Sequence, residues 1–144
     1  MIDIRTAPYA ALLLRLCLAG LFIAHLYWKF AIRGLSVWWS ALQTAGYPDW
    51  VLYYTLSAEF VGAVLLLLGI YTRYASLYAL PLMIGATQFW AVRKGFYFTD
   101  AGWELPLAWS VMLVVQALLG DGAYAVRMPT LPWDRGAQRT TVQT

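Results

Sequence analysis

The sequence predicts an all-α membrane protein, an antiparallel bundle of four transmembrane helices. Three observations carry that expectation. The 144 residues are 62% hydrophobic and only 12% charged, with a mean hydropathy of +0.62, whereas a soluble domain carries about 25% charged residues. Four apolar segments approach the roughly 20 residues that a helix needs to cross a bilayer. The connections between them hold turn residues, aromatics and basic side chains, as the ends of membrane spans do.

The first span runs from about Ala10 to Phe30. Arg15 interrupts its apolar run and no small-residue cleavage pattern follows, so it is expected to remain as a span rather than leave as a signal peptide. The connection from Ala31 to Trp50 contains the turn residues Gly46, Pro48 and Asp49. The second span runs from about Val51 to Tyr71. Only Thr72, Arg73 and Tyr74 separate it from the third, about Ala75 to Val92, so these two should form a tight antiparallel hairpin. Pro81 is expected to kink the third span. An aromatic loop, RKGFYFTDAGW, leads to the fourth span, about Trp103 to Gly120. Residues 1–126 thus form one transmembrane domain, and 127–144 a polar C-terminal tail with Pro129 and Pro132.

Four spans place both termini on one side of the bilayer. That side carries Arg5, Arg73, Arg127, Arg135 and Arg139; the other carries Arg33, Arg93 and Lys94, with Lys29 near the boundary. Counting basic residues favours cytoplasmic termini. Trp38, Trp39, Trp50, Trp90 and Trp103 then gather on the opposite side as an interfacial belt.

Composition also excludes functions. The net charge is +3, without the basic run that grips nucleic acid. Cys17 is the single cysteine, which excludes an intramolecular disulfide and a multi-cysteine metal site. His25 is the single histidine, which excludes a bis-histidine haem within one chain, and no metal is expected. Cys17 reads as a small buried apolar residue. Gln88 and Gln116 read as interhelical hydrogen-bonders, and Gly62 and Gly69 as points of close helix approach.

The candidate functional residues are the charges inside apolar segments. At about 100° per residue, Arg15, His25 and Lys29 share one face of the first span, within about 80°. Charges in a span face the interior or a wet cavity. A rise of about 1.5 Å per residue puts His25 roughly 8–9 Å below the end of its span and Glu59 roughly 12 Å deep in the second, entering from the same side. Lys29 and Glu104 lie near that surface. His25, Lys29, Glu59 and Glu104 can therefore share a layer, while Arg15 belongs to the opposite end with Gln116, Asp121 or a lipid phosphate as partner. Each has a structural reading beside the functional one. Arg15 and Lys29 can snorkel to headgroups, His25 can be a packing residue, and Glu104 can cap a helix N-terminus. Glu59 is the hardest to explain that way, because an unpaired carboxylate in an apolar span is expensive.

The order R-x4-G-x4-H-x3-K (Arg15, Gly20, His25, Lys29), the stretch AEFVGAVLLLLGIYTR (Ala58 to Arg73) and the AGYP ahead of it resemble the DoxX family. The resemblance covers roughly residues 11–95, and more loosely GWE (Gly102 to Glu104) and GDG (Gly120 to Gly122). Beyond that the chain departs: members often carry a Ser and an Asp where Ala125 and Arg127 stand. The resemblance implies a multi-pass protein of the bacterial cytoplasmic membrane. Some relatives are membrane subunits of thiosulfate:quinone oxidoreductase, and others act in redox defence beside soluble partners. The acid–base layer of His25 with Glu59, bordered by aromatics, then points to a quinone-interacting subunit fed by a soluble redox enzyme. His25 and Glu59 are its catalytic candidates, and Arg15, Lys29 and Glu104 its quinone-binding or charge partners. Two other readings stay open at this point. One is a non-catalytic scaffold for a redox or oxidative-stress complex, and the other a small proton-coupled transporter, which would need a homo-oligomer for alternating access.

Overall fold

The computed structural model describes residues 4–126. It contains five α-helices and, among the described residues, no strand. Helix α1 (Ala7–Tyr27) continues without a break into a π-helical segment, Trp28–Arg33. Gly34, at φ +86°, ends that segment, and α2 (Leu35–Thr44) follows. Next come α3 (Asp49–Leu68), α4 (Thr72–Ala91), a 3-10 turn over Phe98–Asp100, and α5 (Glu104–Leu119). The expected polar tail, with Arg127, Arg135 and Arg139, lies outside the described residues.

Among the described residues, two segments are long and apolar enough to cross a membrane: residues 7–33 and α3. The other two expected spans are weaker. Helix α5 is apolar but has only 16 residues. Helix α4 has 20 residues but carries Thr72, Arg73, Ser76, Thr87 and Gln88. The first connection, expected to be a loop, holds α2, none of whose residues is buried.

Helix α1 packs on α3, α3 on α4, α4 on α5, and α5 returns to α1. This cycle encloses a core that includes Leu18, Phe22, Leu66, Ala79, Met83 and Leu113. Gly62 lets α1 and α3 come close: a Cβ there would stand 2.8 Å from the Phe22 ring. The glycine is thus the slot that seats Phe22 between α1 and α3. The outward faces are apolar too. Leu13 is 73% exposed and Leu118 74%, with Ile23, Phe60, Leu77 and Val111 exposed beside them. Apolar surface on that scale marks an interaction with lipid or protein.

The turn between α3 and α4 falls on residues 69–71, three residues before the expected Thr72–Tyr74. Gly69 adopts the left-handed conformation (φ +71°), and the Ile70 N–H donates to the Leu65 carbonyl at 2.9 Å. That is a glycine helix stop of the common kind. Helix α4 can begin at once because Asp121, beyond α5, accepts hydrogen bonds from the Thr72 N–H (2.9 Å) and hydroxyl (2.8 Å). The cap comes from 49 residues away, so no local pattern announces it. Helix α4 runs through Pro81. The Tyr54 hydroxyl donates to the Tyr78 carbonyl at 2.6 Å, next to the Leu77 carbonyl that a proline at 81 leaves without its helical donor.

Candidate functional site

The strongest polar feature lies where α1 gives way to its π-helical segment. The wider turn there re-aims side chains relative to an α-helix, and such bulges recur at functional sites. Lys29 sits in it and turns inward, to 4% exposure. Opposite, on α3, Glu59 is 5% exposed, between the buried Ala58 and Gly62. The Lys29 ammonium donates to Glu59 Oε1, and the two form a buried ion pair. Helix α2 then lays Trp38 over the pair, its ring centroid 4.4 Å from Lys29 Nζ. A cation over an indole face is attracted by the ring quadrupole. Glu59 Oε2 is buried and has no hydrogen-bond partner among the described residues. Thr55, one turn earlier on α3, does not supply one, because its hydroxyl donates to the Val51 carbonyl.

The second polar feature lies at the other end of α1, where Arg15 is 2% exposed. Its Nη1 donates to the Asp121 carbonyl and its Nη2 to the Ala123 carbonyl, both at 2.9 Å. Gly69 leaves room for the guanidinium, for a Cβ there would fall 1.5 Å from Nη1. The segment after α5 is tied down further by the Ala123 N–H to the Pro8 carbonyl (2.9 Å) and the Val126 N–H to the Leu68 carbonyl (3.2 Å). This end is a structural closure in which Arg15 neutralises orphan carbonyls. Arg15 does not snorkel, and its partner at Asp121 is the main chain, because the carboxylate is taken by Thr72.

A family model for DoxX matches residues 10–93. The chain belongs to the DoxX family. No curated protein and no solved structure matches it. The match takes in Arg15, His25, Lys29, Glu59, Gly62 and Gly69, and ends just past α4. Glu104, Asp121 and the closing segment lie beyond the part of the chain that carries the DoxX pattern.

In this DoxX chain the layer expected from sequence is only partly assembled. Lys29 and Glu59 meet. His25 does not stand beside Glu59; it is exposed on the seam between α1 and α5, edge-on to the Trp109 ring at 4.9 Å. The physical reason is already in the α-helical spacing: at about 100° per residue His25 lies about 80° round the helix from Arg15 and about 60° from Phe22, at the edge of the inward stripe, whereas Lys29 lies about 40° from Arg15. Glu104 is not in the layer either: its Oε2 accepts the Phe98 N–H at 3.1 Å and so holds the aromatic loop at the start of α5. Cys17, expected to be buried, is exposed on the outer face of α1. Among the described residues, no three of His, Cys, Asp or Glu come together as a metal site. Sequence reasoning missed Trp38, taken there as an interfacial anchor, and Trp109. A tryptophan pair, Trp38 and Trp39, nine residues past a lysine was the one available signal.

Proposed function

We propose that this DoxX chain is an integral four-helix membrane subunit that binds a quinone beside Lys29 and Glu59 and takes electrons from a soluble redox partner. The observation that carries the reading is Glu59 Oε2, a buried carboxylate oxygen left without a partner next to a buried ammonium. It is an acceptor suited to a quinol hydroxyl, and Lys29 has N–H groups beyond the one given to Oε1 for a quinone carbonyl. Reducing a quinone consumes electrons and protons together. Lys29 and Glu59 hold exchangeable protons at the head group, with His25 a turn away on α1 as a further acid–base group. An apolar groove of about 360 Å³ lies between α1 and α3 on the same two helices. Phe30 and Phe60, neighbours of Lys29 and Glu59 in the chain, line it with Leu26 and Ala63. Its chemistry suits an isoprenoid tail.

The membrane part of the proposal takes α1 with its π-helical segment, α3, α4 and α5 as an antiparallel set of spans in the bacterial cytoplasmic membrane, with cytoplasmic termini. The exposed apolar faces and the family support it. In that frame Arg15 anchors the cytoplasmic end and Glu104 orders the outer loop.

The test is mass spectrometry of lipids that co-purify with the chain in detergent, wild type against Glu59→Gln. A stoichiometric quinone in wild type, lost from the folded variant, is the expected result. Absence of quinone from both overturns it in favour of the scaffold. One observation favours that rival: Lys29 and Glu59 pair with each other across α1 and α3, as a pin of helix register would. The transporter reading has less support. From Arg15 to Lys29 is about 21 Å along α1, and Leu18, Phe22, Leu66 and Leu113 fill the core between them.

A further inference from the structure

We propose that the Arg15 end of the molecule holds a buried water molecule bound between Arg15 Nε, Ser76 Oγ and Gln116 Oε1. These three atoms are buried and have no hydrogen-bond partner among the described residues. Their side chains are among the most buried of the chain: Arg15 at 2%, Ser76 and Gln116 at 0%. Buried polar atoms in folded proteins are almost always paired, with protein or with ordered water.

Helix register brings the three to one level. Phe22 of α1 meets Trp109 of α5, ring centroids 5.0 Å apart, while Arg15 meets the carbonyls of Asp121 and Ala123. The two helices therefore run in opposite directions. Seven residues, or about 10 Å, back from Phe22 is Arg15, and seven residues on from Trp109 is Gln116. Likewise Thr72 at the start of α4 meets Asp121 just past α5, which sets Ser76, one turn into α4, level with residues 116–117. Gln116 cannot turn away, because its Nε2 donates to the Gly120 carbonyl at 2.7 Å and so directs Oε1 elsewhere.

The complement of atoms selects the ligand. Arg15 Nε is a donor only, Gln116 Oε1 an acceptor only, and the Ser76 hydroxyl is both. An anion would meet the lone pairs of Oε1, and a metal cation would meet the Arg15 guanidinium. An apolar group would leave all three uncompensated. A water accepts from Nε, donates to Oε1 and exchanges a bond with Ser76, reaching the three bonds usual for a buried water. It would join α1, α4 and α5 just above the closing segment.

The test is a double-mutant cycle of thermal unfolding on the full chain in detergent, with Ser76→Ala, Gln116→Met and both. With a shared water, each single substitution lowers Tm, and the double variant falls no further than the worse single. The bond lost between Gln116 and Gly120 appears in both arms of the cycle and cancels. If Ser76→Ala raises Tm or leaves it unchanged, or if the two effects add, the water is overturned. Should the double variant fail to fold, a high-resolution structure of the wild type decides. A solvent peak within hydrogen-bond distance of all three atoms is expected, and its absence overturns the proposal.

Discussion

At Lys29 and Glu59 the burial of two charges competes with their mutual attraction. Removing one partner leaves the other charged and buried, which typically costs about 3–5 kcal/mol, while replacing both with apolar residues costs far less. Lys29→Met and Glu59→Leu should therefore each lower thermal stability in detergent strongly, and the double variant should recover most of the loss. Equal and additive losses would mean that the two are not a pair in solution. Stability and quinone content separate here. Glu59→Gln keeps the shape of the side chain, so a folded protein that loses quinone would assign Glu59 to binding rather than to register.

Helices α2 and α3 carry the expectations at the next scale. Helix α2 has no buried residue of its own, yet its Trp38 covers Lys29. Trp38→Ala removes an interaction of about 0.5–2 kcal/mol and uncovers the ammonium. Acylation of Lys29 by an amine reagent, followed by peptide mass spectrometry, should be slow in wild type and faster in this variant. Equal rates would place the cover elsewhere. In α3 the glycines have separate tasks. Gly62→Val drives two methyls into Phe22, which is fully buried and has nowhere to go, so it should cost about 1–3 kcal/mol as overpacking does. Gly69→Ala meets both a left-handed backbone and the Arg15 guanidinium, and should be the more damaging of the two in thermal unfolding.

For the molecule as a whole, the outward apolar faces set the expectation. Cys17 is exposed from the helical body, about 15 Å along α1 from its start by helical rise, so in a membrane it faces lipid. A charged maleimide should label it slowly in intact membranes, and a lipophilic one readily. Rapid labelling by the charged reagent would contradict a spanning α1. Topology follows from a cysteine at Gly46, between α2 and α3, in a Cys17→Ser background. With the proposed cytoplasmic termini it should be accessible from outside the cell, and protection there would reverse that orientation.

The all-helical class and the DoxX family were legible from the sequence, because apolar length and the spacing of Arg15, Gly20, His25, Lys29, Glu59 and Gly69 are local properties of a chain. So was the burial of Arg15 and Glu59, since charges inside an apolar span must face its neighbours. The pairing among the charges was not. An arc of about 80° admits more than one inward residue, and it is Lys29, nearer than His25 to the azimuth of Arg15, that meets Glu59. The start of α4 was likewise decided by Asp121, 49 residues on, and the cover of Lys29 by a helix inside an expected loop. A sequence sets which residues cannot face lipid or water unaided. Which of them meet depends on distant segments arriving at the same place, and only the tertiary structure decides that.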